Sequence, residues 1–180
     1  MKEFDFVRID VPRVYAVDKA TGNAHFTVDL TLPHMLFGKL LRSPHPHARI
    51  LNIDTRKAER LPGVKGVITG KETPYVFGVS HFDQTPLQTE KVRHVGDAVA
   101  AVAAVDLDTA EEALRLIRVD YEPLPAVFDP IEAMKPGAPL IHNGKERNIA
   151  AHSVYNVGSV DEAFAKSAHV FEDRFVTQRV

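Results

Sequence analysis

Apolar and polar positions alternate along this chain in short blocks, and the blocks predict strands and helices in turn. Leu36–Leu41 reads as a strand, stopped by Arg42-Ser-Pro-His45, and Ala48–Ile53 reads as a second strand that ends at Asp54. Asp54-Thr55 is placed to cap a short helix over Arg56–Leu61, which Pro62-Gly63 ends. Val64–Ile68 is a brief strand closing at Thr69-Gly70. Ala98–Val105 is an unbroken run of small apolar residues that predicts a strand buried on both faces, opened by Gly96-Asp97. Behind it, Ala110, Ala113, Leu114 and Ile117 fall on one helical face, with Asp108 and Glu111 at capping-box spacing. Arg118–Glu122 reads as a strand, cut off by Pro123 and Pro125.

The rest is less regular. The first thirty or so residues form a polar approach segment with a turn at Thr21-Gly22-Asn23. Lys71–Lys91 holds no helical period and reads as one long loop, a type of segment that is more often functional than accidental. Asp129-Pro-Ile-Glu132 offers a second capping box with proline at the first helical position. Ser159 and Glu162 offer a third, opening a helix over Val160–Lys166, and Val170–Val180 is strand-like. The Pro- and Asn/Gly-rich stretch Lys135–Ser153 marks a linker. These elements predict an α/β (α+β) class, with a domain over residues 17–135 and a linker plus helix–strand lead-in over 136–180.

Composition narrows the function. The 180 residues are 44% hydrophobic and 26% charged with a net charge of −2, which is ordinary globular composition. That balance supplies no electrostatic case for nucleic acid or an anionic membrane. Cysteine is absent, which removes disulfides, iron–sulfur ligation and thiolate zinc from this chain. No window approaches the ~20 apolar residues of a membrane span, and the N-terminus does not read as a signal peptide. The expected location is the cytoplasm.

Each candidate site has a plainer structural reading beside it. His45 and His47 are two apart and would share a face on an extended backbone, with His34 and Asp54 as further metal ligands. Against this, Pro44-His-Pro-His47 reads as a turn whose imidazoles bond to local backbone, so no metal ligand is assigned. Gly63, Gly66 and Gly70 match neither phosphate-binding pattern and read as turn residues. Ser43, Ser80 and Ser153 lack a nucleophile-elbow context. Asp106, Asp108, Glu111 and Glu112 sit where helix capping and the helix dipole explain them. No catalytic, cofactor-binding or metal residue is therefore expected.

A string of motifs is more specific than any of its parts. Leu41-Arg-Ser-Pro-His-Pro-His-Ala-Arg-Ile50 resembles the "RSPHAHARI" segment of xanthine dehydrogenase/aldehyde oxidase large subunits. Lys91-Val-Arg-His-Val-Gly-Asp-Ala-Val-Ala100 resembles the same family's "KVRYVGEPVA", with Pro46 standing for the usual alanine and Ala98 for the usual proline. Leu61-Pro-Gly-Val64, Thr109-Ala-Glu-Glu-Ala113 and Val119-Asp-Tyr-Glu-Pro-Leu-Pro-Ala126 follow in order. The resemblance implies an α/β hammerhead domain with a mixed sheet and a few short helices, packed against molybdopterin-binding domains. It further implies a molybdenum cofactor held by residues downstream of Val180, and iron–sulfur clusters and FAD on partner subunits or domains. Thr69–Val79 looks most like 4-hydroxybenzoyl-CoA reductase α subunits.

Overall fold

A computed structural model of the chain describes residues 12–78 and 82–178. Ser80, the first eleven residues of the approach segment and the last two of the strand-like Val170–Val180 lie outside that range. The chain divides into two compact units, at Ala126/Val127.

The first unit opens with a helix the sequence reading did not include, α1 (Ala16–Thr21). The Thr21-Gly22-Asn23 turn is its stop signal, since Gly22 takes a left-handed φ of 78° and donates back to the Asp18 carbonyl. Then come β1 (Phe37–Arg42), β2 (Ala48–Asp54), α2 (Arg56–Glu59), β3 (Val64–Thr69), β4 (Lys91–Val92), β5 (Ala98–Ala104), α3 (Leu107–Leu116) and β6 (Arg118–Pro123). The strands form two three-stranded sheets, β1-β5-β3 and β4-β2-β6, and every pairing is antiparallel. The α/β expectation holds, with two antiparallel sheets where one mixed sheet was expected.

The N-cap of α3 lies two residues before the predicted one. Asp106, extended at φ −151°, is the N-cap, and its Oδ1 accepts the Thr109 N–H at 2.7 Å. Asp108 lies inside the first turn, where its charge faces the positive end of the helix dipole. The predicted apolar face is real. Ala110, Ala113 and Ile117 are buried against Ala100, Val102 and Ala104 of β5 and Ala58 of α2, with Leu114 half-buried beside them.

Strand β5 corrects the expectation of burial on both faces. Ala100, Val102 and Ala104 are buried under α3, whereas Ala98, Ala101 and Ala103 are half-buried. One helix covers one face of an antiparallel sheet, and small alanines on the other face hide the alternation from the sequence. Val99 belongs to a second core with Ala48, Ile50 and Val92. Ile53 and Val119 are register partners across β2 and β6, and both pack against both cores. That shared pair ties the two sheets together.

In the second unit, α4 (Pro130–Ala133) has the predicted cap. Asp129 Oδ1 accepts from the Ile131 and Glu132 amides at 2.8 and 2.9 Å, with proline in the first turn. Helix α5 (Val160–Lys166) matches its predicted span, but Ser159 makes no side-chain cap bond. The described part of Val170–Val180 forms no strand, because among the described residues no ladder partner pairs with it.

Candidate functional site

A dense polar cluster lies where the β1–β2 turn meets the β4–β5 turn. The Ser43 amide donates to the Asp97 carbonyl at 2.8 Å, and the Gly96 amide donates to the Ser43 carbonyl at 2.8 Å. Arg42 Nη1 adds a bond to the Gly96 carbonyl at 2.8 Å. Gly96 has φ +92° at the third position of a turn closed from Asp97 N–H to the His94 carbonyl, a position that favours glycine. Asp97 is 6% exposed, and its Oδ2 accepts the Arg93 amide at 2.9 Å. Arg93 Nη1 reaches Gln88 Oε1 and the Lys91 carbonyl at 2.9 and 3.1 Å.

The histidines are separated rather than gathered. His47 is 3% exposed, and its Nδ1–H donates to the Pro125 carbonyl at 2.6 Å. Because a carbonyl can only accept, this bond fixes the proton on Nδ1. The partner is 78 residues away, so the expected local backbone bond is replaced by a tertiary one. His45 instead packs edge-on to Tyr121 at 4.9 Å between ring centroids. Burial pushes the Tyr121 hydroxyl up, partly opposed by a hydrogen bond with Ser43. Asp54 clamps Arg56 through bonds of 2.9 and 2.7 Å, and His34 sits exposed with φ +61° beside a groove. The four candidate ligands thus stand in four different surroundings. Among the described residues no group of three or more His, Asp or Glu could hold a metal ion.

Other candidates resolve into local structure. Ser43 Oγ accepts the His45 amide at 3.0 Å and shapes the proline turn, while Ser153 is exposed. Glu111 pairs with Lys39 at 2.9 Å, and Glu112 is exposed. Gly63 has φ +94° in a turn, whereas Gly66 lies within β3 at a register shift, which corrects its reading as a turn residue. Gly70 permits a close crossing: a Cβ there would stand 2.4 Å from Thr89 Cγ2 and 2.6 Å from the Leu87 carbonyl oxygen. That crossing cinches the base of the Lys71–Lys91 loop. Farther out, the loop is bridged by Phe77 and Gln84 and exposes Tyr75, Val76, Phe77 and Phe82.

Sequence reasoning missed the bond between the buried Asp97 carboxylate and the amide of half-buried Arg93. Both lay inside a family motif, yet only the tertiary turn brings the carboxylate back to the Arg93 amide. His47 Nε2 and Arg93 Nε are buried without a hydrogen-bond partner among the described residues. Both atoms are sealed from solvent. Grooves elsewhere among the described residues include one of about 470 Å³ along Thr31–Phe37 with Lys65 and Val105. Another, of about 320 Å³, is lined by Asp54, Lys57 and Arg115–Arg118.

Two small antiparallel sheets, one helix laid across the first, and motif turns locked together by backbone bonds define a domain class. Residues 21–125 match the aldehyde oxidase and xanthine dehydrogenase a/b hammerhead domain, and the chain belongs to that family. It is 42% identical, over 89% of its length, to a probable xanthine dehydrogenase subunit from Bacillus subtilis. It is 38% identical, over 93% of its length, to the carbon monoxide dehydrogenase large chain of Afipia carboxidovorans. The chain spans 22% and 23% of those two relatives. A crystal structure of the Cu,Mo-CO dehydrogenase superposes with a TM-score of 0.67 and 42% identity, covering 72% of this chain and 17% of the other.

Proposed function

We propose that this chain is the scaffold domain of the large subunit of a molybdenum-dependent oxidoreductase, and that no residue among its 180 performs the chemistry. The observation that carries this reading is the hammerhead match over residues 21–125. The polar network agrees with it, because Ser43 Oγ, His47 Nδ1 and Asp97 Oδ2 are each bonded to backbone groups. A fold by itself does not carry an activity, which belongs to sites grafted on it.

The described residues do not fit a molybdopterin group. The two orphaned buried atoms, His47 Nε2 and Arg93 Nε, are sealed from solvent, and neither groove described above is lined by His47 or Arg93. When held by other domains, that cofactor supplies the redox centre. Iron–sulfur and flavin centres on partner subunits or domains pass the electrons. Expressed with cofactor supply, the isolated chain should contain no stoichiometric molybdenum by elemental analysis. A one-to-one content would overturn the scaffold reading.

For the whole enzyme, Thr69–Val79 supports a 4-hydroxybenzoyl-CoA reductase-like activity. Such an enzyme takes electrons from a low-potential donor and removes a phenolic hydroxyl from an aromatic CoA thioester. Tyr75, Val76 and Phe77 of that stretch are exposed, as a segment contacting another domain or a channel mouth requires. A second reading, oxidation of an aldehyde or purine, is favoured by the probable xanthine dehydrogenase among the relatives. Assays of the co-expressed complex on 4-hydroxybenzoyl-CoA, an aromatic aldehyde and a purine separate the two. Efficient oxidation without thioester reduction under strongly reducing conditions would sink the first reading and leave the family assignment intact.

A further inference from the structure

Separate stretches of chain meet at one end of the β2–β6 pair. Asp54, the last residue of β2, is the register partner of Arg118, the first residue of β6. Lys57 stands on α2, and Arg115 on the last turn of α3. Together with Leu116 and Ile117 these four line the groove of about 320 Å³. Its charged walls are unevenly matched.

The one carboxylate in the groove is already engaged. Asp54 Oδ1 accepts the Arg56 amide and Nε at 3.1 and 2.9 Å, and Oδ2 accepts Nη2 at 2.7 Å. Arg56 holds the Asp54 carboxyl well below the ordinary range, and the charge of Lys57 adds to this. Arg118 gives Nε to Asp120 at 3.0 Å, which leaves both terminal nitrogens without a hydrogen bond among the described residues. Lys57 and Arg115 make no hydrogen bond or ion pair there either. Lys57 acts on Asp54 and Arg115 on Glu111 through charge alone, and Glu111 is bonded to Lys39 at 2.9 Å.

The Asp54–Arg56 and Arg118–Asp120 pairs each cancel, so Lys57 and Arg115 leave the groove with two positive charges on a chain of net charge −2. The C-terminal end of α3 supplies roughly half a negative charge, too little to balance them. We propose that this groove binds a small dianionic oxyanion of the phosphate class, held by Lys57, Arg115 and the terminal nitrogens of Arg118 beside the apolar Leu116 and Ile117. Guanidinium groups present a planar fork that matches two oxygens, and lysine adds a point charge. A monocarboxylate would leave one cation unmatched. Binding makes and breaks no covalent bond, so the inference stands apart from the scaffold reading.

The test is titration of the chain with inorganic phosphate at a pH above about 7, where phosphate carries close to two charges. Sodium chloride holds the ionic strength constant, because screening weakens exposed charges. Amide NMR shifts should saturate and cluster around residues 54–57 and 115–118, and acetate should bind about tenfold more weakly. Lys57→Gln and Arg115→Gln should each weaken phosphate about tenfold, as the loss of one charge-assisted bond implies. Both side chains are exposed, and an unchanged amide spectrum outside the groove verifies that each variant folds. Lys65→Gln, in the other groove, should leave the affinity unchanged. Shifts that rise without saturating, acetate binding as tight as phosphate, or unchanged affinity in both groove variants would each overturn the proposal.

Discussion

The Asp97 carboxylate accepts the backbone N–H of Arg93 at 2.9 Å, so a side chain four residues on closes the connection between β4 and β5. With Asp97 only 6% exposed, its removal deprives the Arg93 N–H of its partner inside the turn. Asp97→Ala should therefore cost about 1–3 kcal/mol in urea unfolding, the range for an orphaned buried polar group. Asp97→Asn keeps an acceptor and should recover most of the loss. Equal losses in the two variants would show that the carboxylate charge, not the acceptor, matters.

His47 and His45 should hold no structural metal, because one imidazole is spent on the Pro125 carbonyl and the other packs on Tyr121. A chelator should leave the melting temperature unchanged. A large drop, of the kind seen when metal binding is coupled to folding, would restore the metal-site reading.

Gly70 and Gly66 should respond oppositely to a methyl group. Gly70→Ala drives a Cβ against the Leu87 carbonyl oxygen, which is backbone and cannot swing aside. A loss of about 1–3 kcal/mol is expected from such overpacking. Gly66→Ala meets no atom within 4 Å and should fall within ~0.5 kcal/mol of wild type. Thermal denaturation of both variants checks the contrast.

On α3 the fully buried positions are alanines, and the large residue beside them is only half-buried. Leu114→Ala should therefore cost about 1–2 kcal/mol, below the range for a fully buried leucine. Ala113→Leu has no room against β5 and should cost about 1–3 kcal/mol by overpacking. A loss for Leu114→Ala well above about 2 kcal/mol in chemical denaturation, as for a fully buried leucine, would reverse this packing assignment.

Among the described residues four carboxylates are held below their ordinary range: Asp54 by Arg56, Glu72 by Thr69, Asp106 by the Thr109 amide, and Glu111 by Lys39. Each binds fewer protons folded than unfolded. Their contribution is complete above the unfolded carboxylate range of about 3.9–4.3 and is lost as pH falls through the lowered folded values. The urea midpoint should be flat near neutrality and fall below about pH 4. Glu72→Gln, which cannot titrate, should shallow that acid limb.

The sequence by itself determined the elements whose signals are local. The α3 face at Ala110, Ala113 and Ile117, the Asp129 cap and the span of α5 follow from helical period and capping chemistry, which act within a few residues. Its motif string also determined the family. Tertiary structure decided everything that needed a distant partner. The His47 bond to Pro125 joins residues 78 apart, and Gly70 crosses Leu87 and Thr89. Val170–Val180 has strand-forming residues, but a strand exists only where another backbone takes its hydrogen bonds, and no pattern within one segment specifies that partner.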